Sequence, residues 1–198
     1  METISAVRGR PREFDVDEAL ARALHVFWEK GYDGASLTDL TEAMGITRPS
    51  LYAAFGSKED LFKRALDLYE SEKLAYVGCA LEAPTARGVA QRLLEGTVEN
   101  ITSECPGCLG VITAVSCRND SPIQQDIRAR THYIRTAIVE RMQRAIDSGD
   151  FTIPVDAESM TSYLLAVAQG ISVQAGAGAN REELERVTQA TLAVWPGR

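Results

Sequence analysis

Long apolar runs are missing from this 198-residue sequence; the longest, Tyr163 to Ala168, is far too short to cross a bilayer. The opening METISAVRGR contains no apolar stretch of the kind a secretory signal requires, so a cytoplasmic protein with no membrane contact is expected. There are only four cysteines, Cys79, Cys105, Cys108 and Cys117, and a reducing compartment leaves them as thiols more readily than as a disulfide framework. Histidine is scarcer still, with His25 and His132 far apart, which leaves metal chemistry short of ligands. Glycine-rich phosphate loops, paired-carboxylate motifs and the period-two alternation of strands are absent as well. No cofactor or metal is therefore expected, and no enzyme. With 45% hydrophobic and 25% charged residues, the composition is that of a globular chain rather than a disordered one.

Acid predominates, and the net charge of -7 argues against general nucleic-acid binding. Its placement reverses that argument in two stretches. Residues 8 to 12, RGRPR, hold Arg8, Arg10 and Arg12 with no acid, and Gly45 to Lys58 holds Arg48 and Lys58 with no Asp or Glu. The first reads as a basic arm able to reach phosphates or a minor groove, or else as a solvated tail.

What the sequence has in abundance is helix punctuation. Asp15 with Glu18 opens a first helix whose Leu20, Ala23, Leu24, Phe27 and Trp28 share a face, and Gly31 ends it. Ser36 with Asp39 opens a second, Gly45 closes it in a left-handed turn, and Ile46 plugs the corner. Thr47 caps a third with Pro49 in its first turn, where a missing N–H does no harm. Leu51 and Phe55 turn inward, leaving Thr47, Arg48, Ser50, Tyr52 and Ala53 outward. Gly56 stops that helix, and Ser57 with Asp60 opens a fourth, running to about residue 77 and bearing Lys58 in a first turn suited to gripping a phosphate. The spacing predicts a helix-turn-helix.

Pro84 breaks the chain before a helix from Thr85 to Ser103. Its Thr97 and Asn100 interrupt an apolar stripe, as satisfied core groups or as the orienting groups of a ligand pocket. Candidate pocket residues are Leu93, Thr97 and Asn100, with Ile112, Tyr133 and Tyr163. CPGC at 105 to 108 and Cys117 invite redox or zinc chemistry, yet the strand-helix-strand context of a thioredoxin-like site is lacking; buried thiols are favoured, with Cys105, Cys108 and Cys117 kept as candidate sensors. A short helix is expected from Leu109 to Ser116.

Ser121 and Pro122 open a long helix to about Ser148, with a face of Arg128, Arg130, Arg135, Arg141 and Arg144 expected to be solvated and partly paired with Asp126 and Glu140. Asp156 and Asn180 with Glu183 cap the last two helices. Leu164, Val167, Gly170 and Ile171 on one, and Leu184, Val187, Thr191 and Trp195 on the other, are predicted to form a four-helix dimer interface, with packing inside the subunit as the alternative. In all, nine helices and no strands are expected: an all-α chain with an arm and reading head over residues 1–56, and a sensing and dimerisation bundle over 57–198, linked by a helix at 57–78.

GRPREFD at 9 to 15, FWEKGYDGASLTDLTEAMGI at 27 to 46 and TRPSLYAAFGSKEDLF at 47 to 62 resemble the DNA-binding domain of the TetR family of bacterial transcriptional regulators. That resemblance implies an all-helical homodimer on an inverted-repeat double-stranded operator. It would place Thr47, Arg48, Pro49, Ser50 and Tyr52 against the major groove, Thr38 and Lys58 on phosphates, and Arg8, Arg10 and Arg12 along the flank. The expected function is a repressor released by an unidentified small-molecule inducer or by thiol oxidation. A thiol enzyme and a helical adaptor without DNA are the rival classes.

Overall fold

The structure, a computed structural model, describes residues 14–102, 108–110 and 121–198. Arg8, Arg10, Arg12, Cys105, Ile112, Cys117 and most of the expected 109–116 helix lie outside the described residues. Within them the chain forms nine helices: α1 (Val16–Gly34), α2 (Leu37–Met44), α3 (Arg48–Phe55), α4 (Lys58–Lys73), α5 (Ala75–Leu81), α6 (Ala86–Ile101), α7 (Pro122–Asp147), α8 (Ala157–Gly176) and α9 (Arg181–Ala193). The extended element among the described residues is one isolated antiparallel bridge between Phe151 and Gly197.

The caps are where the punctuation puts them. Asp15, Ser36, Thr47, Ser57, Thr85, Ser121, Asp156 and Asn180 each accept a hydrogen bond from a first-turn N–H, and Ser36, Ser57 and Asn180 complete reciprocal capping boxes. Such caps satisfy donors that a helix start otherwise leaves unpaired. Gly45 takes the left-handed conformation at φ 67°, sending Gly45 N–H to Glu42 O and Ile46 N–H to Thr41 O.

The nine helices are not the nine expected: α5 takes the place of the 109–116 helix in the count, and α1 continues to Gly34 past a non-helical Gly31 at φ 68°. The fourth helix ends at Lys73, Leu74 adopts φ -107° and ψ 5°, and a separate α5 begins without a side-chain cap. Nothing in the run around Leu74 has the composition of a breaker; α5 turns because its Tyr76 packs onto Gly96 of α6. A Cβ on Gly96 would come within 2.2 Å of the Tyr76 ring, so glycine permits this approach.

Two cores result. In the first, α1 and α4 interlock through Trp28 edge-on to Tyr69 and Phe27 edge-on to Phe62, both with ring centroids 4.9 Å apart, and α2 and α3 add Leu40, Leu51 and Phe55. The second joins α5 to α9 around Leu94, Ile138, Ile171 and Leu184. Trp195 closes it at the C-terminal end, where Arg87 N–H donates to Arg198 O and Arg198 N–H to Asp150 O.

The arginine face of α7 is solvated at Arg128 and Arg144, as expected, but Arg141 and Arg135 correct the sequence reading. Arg141 is buried and donates to Leu81 O and Ala83 O, closing the end of α5. Arg135 pairs with Glu158 and donates to Ser162 of α8. Each of these arginines ties α7 to a neighbour.

Candidate nucleic-acid interface and the cavity behind it

The outward face of α3 follows from its inward one. Leu51 is fully buried and Phe55 nearly so, and this fixes the helix rotation and leaves Thr47, Arg48, Pro49 and Tyr52 exposed, with Ser50 half-buried. Thr47 and Ser50 hydroxyls lie 2.9 Å apart, and Arg48 donates through Nη2 to Thr38 Oγ1 at 2.9 Å. Thr38 belongs to α2, so one side chain from each helix of the motif is already joined at the surface. At the other end of α3, Arg64 donates to Ala54 O and lies over the Phe55 ring at 4.7 Å. The short helix is thereby held at both ends. Lys58, in the first turn of α4, lies 4.5 Å over the Tyr32 ring, an attraction that aims its ammonium without neutralising it.

Two acids near this face, Asp39 and Asp60, are spoken for. Lys30, followed by the Ser36 hydroxyl and N–H, holds the Asp39 carboxyl well below the ordinary Asp value of 3.8. The Ser57 N–H and hydroxyl do the same for Asp60. Both groups favour the fold in their charged form, so their contribution is present above pH 3.8 and is lost as the pH falls toward their folded values.

Behind the reading head, α4 forms part of the wall of a cavity of about 580 Å3 enclosed with α5, α6, α7 and α8. Most of the wall is apolar, from Leu66, Val77, Leu93, Ile127, Ile138 and Leu164. Among its polar groups, Asn100 Nδ2 donates to Tyr69 Oη, Tyr69 donates to Cys108 Sγ at 3.4 Å, and Tyr76 Oη lies 3.1 Å from Thr97 Oγ1. Burial pushes the Tyr69 hydroxyl up, and pushes that of Tyr76 to about 12. Both stay protonated at neutral pH.

Leu93, Thr97 and Asn100 line this cavity as expected from the sequence, and so does Cys108. Tyr133 does not: it is 78% exposed on the opposite side of α7. Tyr163 does not either; it is 41% exposed and stacks on Trp195 with centroids 6.3 Å apart. Leu164, assigned to a dimer surface, belongs to the cavity wall, while Ile171, Leu184, Thr191 and Trp195 are buried within the protomer. The remaining three, Val167, Gly170 and Val187, are half-buried. The periodicity was read correctly on both helices, but each has two apolar stripes and the protomer buries one.

The sequence reading missed Gln124, Tyr69 and Tyr76 as cavity residues, and of the partners of Arg130 it found only Asp126. Arg130 crosses from α7 to α4, meeting Asp67 and Glu70 at 2.7 Å each and Asp126 of its own helix at 2.8 Å. The spacing of Asp126 and Arg130 was its one sequence signal; the α4 carboxylates are too remote in the chain to be paired with it by inspection. Burial raises the Glu70 carboxyl despite this contact, whereas the guanidinium is pushed up because Asp67, Asp126 and Glu70 outweigh the opposing effect of burial. The two shifts agree once sharing is counted, since one cation divided among three acids serves each of them incompletely.

Exposed, acid-poor α3, held at a fixed corner against α2 and carried on an all-helical body with its own cavity, defines a helix-turn-helix transcriptional regulator. The chain belongs to the tetR family of bacterial regulatory proteins, whose family model matches residues 19–65. It is 33% identical to the HTH-type transcriptional repressor ComR of Escherichia coli K12 over 98% of this chain and 95% of that protein. Identity to the repressor BdcR of the same organism is 32%, over 91% of this chain and 88% of that one. A solved structure of a cysteine-substituted form of the TetR family regulator CifR, complexed with 26-base-pair operator DNA, superposes with a TM-score of 0.88 at 43% identity and covers 95% of this chain and all of that one. No helix among the described residues is long and apolar enough to cross a membrane.

Proposed function

We propose that this protein is a homodimeric repressor that holds an inverted-repeat operator with two copies of α3 and lets go when a small molecule fills the cavity. The observation that carries the reading is the Arg48–Thr38 contact: a guanidinium held at the solvent face, with no ion pair among the described residues, is oriented before DNA arrives. Repressors among its relatives, and a similar protein bound to operator DNA, support the same reading. Residues 1–56 would read DNA and 57–198 would sense and dimerise, with α4 shared between the two cores. A cytoplasmic location accords with this role, and no catalytic step is proposed.

Thr47, Arg48, Pro49, Ser50 and Tyr52 are assigned to the major groove, Thr38 and Lys58 to phosphates, and Arg8, Arg10 and Arg12 to the flanking backbone. Selection of bound fragments from genomic DNA, followed by gel-shift titration at several salt concentrations, tests the assignment. Arg48→Ala is expected to relax sequence preference by ~1–3 kcal/mol, and Lys58→Ala to weaken all sequences alike with a shallower salt slope. Equal loss of preference in both variants counts against the division of roles.

The protomer leaves Val173 56% and Val194 72% exposed, with Tyr163 and Gly170 on the same side of α8 as Val173. This second stripe, rather than the buried residues, is assigned to the dimer, where two α8–α9 pairs would form the four-helix contact. Val173→Asp is expected to give monomers by sedimentation while leaving the circular dichroism unchanged. Retention of the dimer would move the interface elsewhere. Two half-sites ~34 Å apart require the dimer to set their spacing, and a molecule that fits the cavity better at the wrong spacing depletes the DNA-bound state. Because the cavity borders α4, binding of a molecule is preferred here to oxidation of a thiol as the signal.

A further inference from the structure

Resting on the reading of the cavity as the sensing site, we infer that its ligand is a neutral, mainly apolar molecule carrying a hydroxyl that donates a hydrogen bond to the inner wall, as a phenol or alcohol does. The argument is an inventory of hydrogens. Thr97 Oγ1 gives its hydrogen to Leu93 O at 2.8 Å, so the Tyr76 hydroxyl must donate to Thr97 rather than the reverse. Tyr69 spends its hydrogen on Cys108, and Ser172 spends its own on Ala168 O at 3.0 Å. Each hydroxyl keeps lone pairs but has no hydrogen left to give.

Gln124 supplies the second, independent observation. It lies in the cavity wall on the first turn of α7 and is only 7% exposed, and its Oε1 has no hydrogen-bond partner among the described residues. An amide oxygen walled off from water and unpaired is an expense that native proteins seldom carry without a use. The terminal torsion of glutamine is soft, so the amide can turn to meet a partner in the cavity that its side chain lines. What meets it there must be a donor. Tyr76, Ser172 and Gln124 Oε1 thus present acceptors on the inner wall, beside the amide N–H groups of Asn100 and Gln124.

Charge settles the rest of the class. Arg130, the cation that faces α4, is already shared among Asp67, Glu70 and Asp126, and Arg135 is paired with Glu158. A carboxylate ligand would add a fourth acid to the first cluster and find no uncommitted Arg130 nitrogen. Arg128, Thr131 and His132 also line the cavity but are exposed toward the rim, so their donors serve the entrance rather than the inner wall.

Three probes of one shape separate the possibilities: 1-naphthol, 1-methoxynaphthalene and 1-naphthoate, titrated into the full-length protein by calorimetry. Naphthol is expected to bind about tenfold more tightly than either of the others, the scale of one well-made hydrogen bond. Gln124→Leu is expected to bring naphthol and its ether to within about twofold, with Tyr76→Phe as a second variant that removes an acceptor elsewhere on the wall. Equal or tighter binding of the ether or the carboxylate by the wild-type protein overturns the inference, as does failure of all three to bind, or survival of the naphthol preference in both variants. Operator titration keeps the two claims apart. Naphthol that binds with the stated preference but leaves operator affinity unchanged overturns the sensing role alone, whereas release driven equally by the ether or the carboxylate overturns the ligand class alone.

Discussion

Replacing Phe62 by alanine is expected to remove ~3–5 kcal/mol from the stability of the reading head, out of the ~5–15 kcal/mol typical of a whole domain. The side chain is fully buried and is approached edge-on by Phe27 at 4.9 Å and at a steep angle by Tyr32 at 5.0 Å, so its loss opens a cavity bounded by rings that cannot fold inward to fill it. Tyr32 also carries Lys58 on its face, and loosening that ring moves a proposed phosphate contact. Urea unfolding followed by tryptophan fluorescence checks the prediction, because Trp28 lies in the same core. Operator DNA in excess is expected to restore part of the lost stability, since it binds only the folded head. A loss below about 1 kcal/mol would mean that the aromatic cluster repacks.

The second large effect is expected at Arg130. Arg130→Met keeps the length of the side chain but leaves Asp67, Glu70 and Asp126 facing one another with no cation between them, at an expected cost of ~1.5–3 kcal/mol. Glu70 carries most of the consequence because it is the acid that burial already raises. A carboxyl whose folded value is raised opposes folding above its ordinary value of 4.5 and ceases to do so once protonated. The deficit of the variant is therefore expected to shrink as the pH is lowered from 7 toward 5, opposite in sign to the response of Asp39 and Asp60. Thermal unfolding at several pH values reads this directly. A deficit independent of pH would show that Arg130 acts through packing and not through charge.

Most of the reading head was legible from the residues because its instructions are local. Each cap lies within three residues of the N–H it serves, and Gly45 and Gly56 mark turns whose positive φ few other residues adopt. The body was legible only as helices. Which stripe of α8 faces inward depends on α6 and α7 arriving beside it, and no residue of α8 announces that; Leu164 and Val173 look alike in sequence, yet one lines the cavity and the other faces solvent. The break at Leu74 was invisible for the same reason, being imposed by Gly96 twenty-two residues away. Of the cavity, the part on α6 was found because Thr97 and Asn100 disturb an apolar stripe. Gln124, close behind a cap, disturbs nothing and was missed.

The joint at Leu74 carries a consequence for motion on the scale of seconds and longer. The first amides of α5 have no side chain to hold them, whereas those of α4 are secured by the Ser57–Asp60 box. Deuterium is therefore expected to enter the start of α5 while α4 remains protected, marking the lowest-energy opening near the cavity. Local opening there leaves the first core intact and loosens only the edge of the second, where Tyr76 and Val77 pack. It would give a solute a way in past Tyr76 and Val77 without disturbing the helix that carries the head, so that admission and response could proceed on separate clocks.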